Sequence, residues 1–111
     1  MAEMVPPHLL EPVAERFRIL GDATRLAILR TLMLEGELNV SQLVERLDMS
    51  QANISKHLKI LADAGIVARR AEGTAAFYRV TDPTLTTLCD LVCGRLREQA
   101  EAEARAFSTT R

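Results

Sequence analysis

No apolar run in these 111 residues approaches the roughly 18 to 20 consecutive positions that a membrane span needs. The opening stretch, Met1 to Leu10, also lacks a basic segment followed by an apolar one, so the chain reads as cytoplasmic with no membrane partner. Cysteine is scarce. Cys89 and Cys93 are too few for a secreted disulfide scaffold and would rest as thiols in a reducing compartment. A phosphate-binding glycine loop, a nucleophile with a convincing base and a carboxylate pair in a recognisable setting are all missing, which argues against an enzyme. Internal repeats and low-complexity linkers are absent too.

What remains is a composition of 48% hydrophobic and 26% charged residues, enough to order one core. It suggests a single domain over 1–111 with its core at about 9–107, frayed ends at Met1 to Pro7 and Ser108 to Arg111, and no cofactor required for folding. The net charge of -1 hides an asymmetry. Between Ser50 and Val80 stand five cations, Lys56, Lys59, Arg69, Arg70 and Arg79, against the anions Asp63 and Glu72; the rest of the chain is net acidic. A basic centre in an acidic chain points to a local face for a polyanion, with ordinary solvated charge as the plainer alternative.

Leu9, Val13, Phe17 and Leu20 recur at helical spacing, with Pro12 tolerated in the first turn and Gly21 at the end. Asp22 is placed to cap a second helix carrying Leu26, Ile28, Leu29, Leu32 and Met33, closed by Gly36. Asn39 and Gln42 form a capping box for a short helix with Leu43, Val44 and Leu47 inward. Ser50 caps a fourth, in which Ile54, Leu58 and Leu61 share a face and Gly65 marks the stop. Ile66 to Arg70 and Ala76 to Val80 read as a hairpin. Asp82 and Pro83 then open a last helix running to about Phe107, on which Leu85, Leu88, Cys89, Val92 and Leu96 form one apolar stripe.

The fold class that follows is mainly α with a small β-hairpin: a winged helix-turn-helix. In that arrangement the helix after Ser50 is narrow enough to enter a major groove, its early residues reach base edges, and the basic hairpin meets the neighbouring backbone. A winged helix can also use this surface for a protein partner, so an interaction module without a small inducer stays open.

The residues themselves resemble the ArsR/SmtB winged-helix repressors, through GDATRLAILRTL at 21–32, LVERLDMSQANISKHLKILADAGIV at 43–67 and the hairpin to Val80. The resemblance covers roughly residues 9–95. It implies a homodimer, paired through its first and last helices, that blocks transcription at an inverted repeat in double-stranded operator DNA and leaves when an inducer binds. Residue by residue, it points to Gln51, Asn53, Ser55, Lys56, His57 and Lys59 as the DNA-facing set, with Arg69, Arg70 and Arg79 as candidate phosphate contacts. Strand alternation sends Arg69 and Arg70 to opposite sides, and His57 lies at the flank of its helix, where a backbone or phosphate hydrogen bond competes with base contact. Thr74 and Ala75 follow Gly73 where family wings often carry a basic residue. Leu85, Leu88, Val92 and Leu96 are the expected dimer contacts.

The family's thiol site resembles Glu-Leu-Cys-Val-Cys-x-Leu; here the segment from Glu37 to Leu43 carries Asn39 and Ser41 in place of both cysteines. On the last helix Asp82 is present, but Thr84 replaces a histidine and no histidine follows His57, so the usual zinc, nickel or cobalt donor set is missing. Cys89 and Cys93, one helical turn apart, remain as candidate ligands for a soft inducer, foremost trivalent arsenic or antimony, with cadmium, mercury and copper(I) as further options. A third ligand would be a symmetry-related cysteine, an exogenous thiol or the methyl group of an organoarsenical. Two alternatives stand beside this reading: redox or reactive-sulfur sensing by the same thiols, and plain packing.

Overall fold

The computed structural model describes residues 4–109; the ends expected to fray at Met1 to Glu3 and at Thr110 and Arg111 lie outside the described residues. A single 3-10 turn, Pro7–Leu9, leads into α1 (Leu10–Leu20). Then come α2 (Ala23–Glu35), β1 (Leu38–Asn39), α3 (Val40–Leu47), α4 (Gln51–Asp63), β2 (Val67–Glu72), β3 (Ala75–Val80) and α5 (Leu85–Thr109). Pro7 and Ser108, read from sequence as frayed, are thus within the 3-10 turn and α5. No helix among the described residues is long and apolar enough to cross a membrane.

Local chemistry places the helix starts. The Asp22 carboxylate accepts the Arg25 N–H at 2.9 Å. Asn39 and Gln42 form the reciprocal capping box, with Gln42 N–H to Asn39 Oδ1 at 2.8 Å and Asn39 N–H to Gln42 Oε1 at 2.9 Å. Ser50 Oγ accepts from the Asn53 N–H at 3.1 Å. Each cap satisfies a backbone donor that a helix start otherwise leaves unpaired. Because the turn between α3 and α4 depends on the last of these, Ser50→Ala should lower stability by about 1 kcal/mol in urea titration. An unchanged midpoint would show that water replaces the cap.

The sheet is antiparallel with order β1-β3-β2. Leu38 pairs with Tyr78 and Asn39 with Phe77, a short third strand beyond the hairpin expected from sequence. The hairpin strands also run closer to the tip than expected, because Glu72 pairs with Ala75 across a two-residue turn in which Gly73 takes φ 62°. A positive φ at the first turn position is the kind glycine adopts without steric cost.

The chain groups into two compact units, one ending at Thr81 and one beginning at Asp82. A long helix makes most of its contacts along its own length, which sets α5 apart. In the first unit Ile28, Leu29, Leu32, Leu43, Ile54, Leu58, Leu61 and Ile66 are almost wholly buried. At roughly 1.5–3 kcal/mol for each buried large aliphatic side chain, these residues fix α4 against its neighbours. Leu26, expected in the α2 stripe, is 40% exposed instead, because Ile28, Leu29 and Leu32 already supply that helix's inward arc. On α1 only Leu20 is buried, while Phe17 and Leu10 stay exposed.

Candidate nucleic-acid interface

The α3–turn–α4 segment presents a polar helix held from behind by apolar packing. Asp48 terminates α3 with φ 54° and donates its backbone N–H to the Val44 carbonyl at 2.9 Å. On α4 the buried residues Ile54, His57, Leu58 and Leu61 occupy one arc, and Gln51, Ser55, Lys56 and Lys59 are exposed. Asn53 is half-buried, its Nδ2 3.8 Å from Met49 Sδ, a weak contact that leaves the amide oxygen available. The Lys59 ammonium lies 3.1 Å from Asp63 Oδ2 in an exposed i,i+4 pair, which a phosphate could displace at little cost. Amide groups suit adenine edges, and lysines suit guanine or phosphate.

His57 departs from the expected set. It is only 7% exposed, and its Nδ1 lies 3.2 Å from an Arg25 guanidinium nitrogen. A guanidinium only donates, so Nδ1 is the acceptor in this contact. At 100° per residue His57 falls about 40° from Leu61, at the edge of the buried arc, and its contact with Arg25 turns it from the groove toward α2. Arg25, not singled out from sequence, also donates from Nε to the Ile19 carbonyl at 2.6 Å. It ties the end of α1, the start of α2 and the back of α4 together. The Arg25 backbone N–H, with its guanidinium nearby, holds the Asp22 carboxyl below the usual aspartate range.

The hairpin arginines separate by face. Arg69 pairs across the sheet with Tyr78, on the face that carries buried Leu38 and Val67, and is exposed. Arg70 and Arg79 lie on the other face and both meet Glu37, at 2.8 Å and 3.8 Å. Arg70, a candidate phosphate contact from sequence, is therefore engaged within the chain by Glu37 and Glu72. Its hydrogen bonds hold the Glu37 carboxyl below the usual glutamate range, and the two carboxylates of Glu37 and Glu72 raise the guanidinium's own affinity for its proton. Sequence signalled Glu37 only as part of a lost cysteine motif, because its partners lie more than thirty positions away.

In the second unit, the Asp82 carboxylate accepts from Thr84 N–H and hydroxyl at 2.9 and 2.7 Å, and α5 begins at Leu85, slightly later than Pro83. Leu85 is 1% exposed and so drops out of the expected dimer contacts, whereas Leu88 is half-buried and Val92 and Leu96 are 52% and 60% exposed. Leu91, missed in the stripe, is also exposed. Cys89 is half-buried and Cys93 exposed, both free thiols. No cluster of three or more His, Cys, Asp or Glu side chains suited to a metal occurs among the described residues.

Comparison with known proteins places this geometry. Residues 22–69 match the family model described as bacterial regulatory protein, arsR family. The arsenical resistance operon repressor of Bacillus subtilis is 31% identical over 97 residues, covering 86% of this chain and 92% of that protein. Among solved structures, the AntR antimony-specific transcriptional repressor superposes with a TM-score of 0.78 at 26% identity, over 90% of each chain. The homodimeric winged helix-turn-helix DNA-binding domain Mb0332 from Mycobacterium bovis gives 0.72 at 31% identity, covering 88% of this chain and 92% of that one.

Proposed function

We propose that this chain, which belongs to the ArsR family of bacterial regulatory proteins, is a homodimeric repressor released from an inverted-repeat operator by a thiophilic inducer. It is a winged helix-turn-helix transcriptional regulator, not an enzyme. The observation that carries the DNA reading is α4 itself, with Ile54, Leu58 and Leu61 buried behind an exposed Gln51, Ser55, Lys56 and Lys59. The homodimeric relative from Mycobacterium bovis supports pairing, as do the uncovered apolar residues on α1 and on α5.

The inducer reading rests on Cys89 and Cys93. Spaced by four on one helix, their thiolates lie one turn apart, and the relatives named for arsenical and antimony response fit a soft, thiophilic ion. Trivalent arsenic or antimony takes two thiolates here, and the third ligand comes from the partner protomer, an exogenous thiol or an organic substituent. Drawing the two sulfurs onto one ion alters α5 at the dimer contact and respaces the two α4 helices. The ion must bind the DNA-free form more tightly than the DNA-bound form.

The test is fluorescence anisotropy on a duplex from the protein's own upstream region, titrated with arsenite or antimonite under reducing conditions. Wild type should lose roughly 5- to 150-fold in DNA affinity. Cys89→Ser and Cys93→Ser should bind DNA normally and not be released. Release that persists in the double substitution ends the cysteine-ligand reading. Cys93 is exposed enough to be oxidised, so release of wild type only by oxidant or polysulfide replaces the metalloid with redox sensing.

A further inference from the structure

The hairpin carries three arginines but does not offer them equally. Glu37 grips Arg70 with both carboxylate oxygens: Nε donates to Oε2 at 3.1 Å and to Oε1 at 3.2 Å, and Nη2 donates to Oε1 at 2.8 Å. The same Oε2 lies 3.8 Å from an Arg79 guanidinium nitrogen. Arg70 gives its remaining terminal nitrogen to Glu72 at 2.7 Å, and its guanidinium carbon sits 5.0 Å from the centroid of the Phe77 ring. Cross-strand register sets this cluster on one face: Arg70 stands opposite Phe77, and Arg79 opposite Ala68. Arg69, on the other face, has no ion-pair partner among the described residues.

A guanidinium held bidentately by a carboxylate can neutralise a phosphate only by giving up that partner, and a neutralised pair releases no DNA counterion. We propose that Glu37 sets how much positive charge the wing presents to DNA, by holding Arg70 in a bidentate pair and setting its carboxylate beside Arg79, while Arg69 is left as the cation without an ion-pair partner among the described residues. This rests on the DNA-binding reading above. Glu37 is a positioning residue: it touches no DNA and acts through the arginines. The arrangement limits non-specific attraction, which depends on cation number, while leaving recognition by α4 intact.

Salt dependence tests it on the intact protein. Binding to one fixed duplex from the upstream region is measured from low to moderate salt for wild type, Glu37→Gln, Glu37→Asp, Arg69→Gln and Arg70→Gln. Glu37→Gln should bind more tightly at low salt, with the plot of log affinity against log salt steeper by about one per protomer. Glu37→Asp keeps the charge and should restore the wild-type slope. Adding Arg70→Gln and Arg79→Gln to Glu37→Gln should abolish the gain. In the wild-type background, which does not depend on Glu37→Gln folding, Arg69→Gln should flatten the slope by about one per protomer and Arg70→Gln should leave it unchanged. A Glu37→Gln slope equal to or shallower than wild type, in a protein that melts normally, overturns the proposal alone. So does an Arg70→Gln loss as large as that of Arg69→Gln. Failure of the wild type to bind the duplex at low salt overturns the DNA reading and this proposal with it.

Discussion

Placing glutamate at both Val92 and Leu96 is expected to make the protein monomeric and to lower operator affinity by roughly 100- to 10,000-fold, the range lost when two linked half-site contacts become independent. Both side chains are more than half exposed on α5, so the variant leaves the buried core of the chain untouched. Glutamate is also a good helix former. The damage falls on association: a carboxylate forced into an apolar contact is desolvated without a partner. Sedimentation velocity should give half the wild-type mass, with unchanged helix content by circular dichroism. A variant that stays dimeric at low concentration removes α5 from the interface. Leu85→Glu provides the contrast, since Leu85 is 1% exposed and its substitution should unfold the protein before it separates subunits.

That contrast marks where periodicity stops being informative. Leu85, Leu88, Val92 and Leu96 share one stripe by spacing, but spacing alone cannot say which of them is buried and which stays exposed. On α1 the same ambiguity holds for Phe17, apolar by pattern and 57% exposed. By contrast, the caps at Asp22, Asn39 and Ser50 were legible because donor and acceptor lie within three residues of each other. The motif of α3, turn and α4 was legible for the same reason, and the family resemblance rested on that contiguous stretch.

Features set by distant pairing were not. Strand β1 is only two residues long and is defined by Tyr78 and Phe77 about forty positions on, so no local propensity announces it. Arg70 reads as a free cation until Glu37 is brought beside it by the same pairing. His57 sits in a run of polar residues, and only its neighbours on the wheel, Ile54 and Leu61, hint that it turns inward.

The second large effect concerns that turn. Arg25→Ala removes the donors to the Ile19 carbonyl, at 2.6 Å, and to His57 Nδ1, at 3.2 Å, leaving two part-buried acceptors without them. Each stranded acceptor costs about 1–3 kcal/mol when fully buried, and these two are only part-buried, so a loss of about 2–4 kcal/mol is expected, a large share of the stability of a domain this size. Lysine should recover only part of it, because one ammonium on a flexible stem does not reproduce two donors fixed in a planar fork. His57→Ala should share the loss, and a double-mutant cycle with Arg25→Ala should give a coupling of about 0.5–3 kcal/mol by urea denaturation. DNA affinity should fall for both variants only as far as α4 is loosened, with the salt slope unchanged, because His57 faces Arg25 and not a phosphate. If His57→Ala instead keeps its unfolding midpoint and flattens the salt slope, the imidazole belongs to the DNA interface and its place behind α4 is wrong.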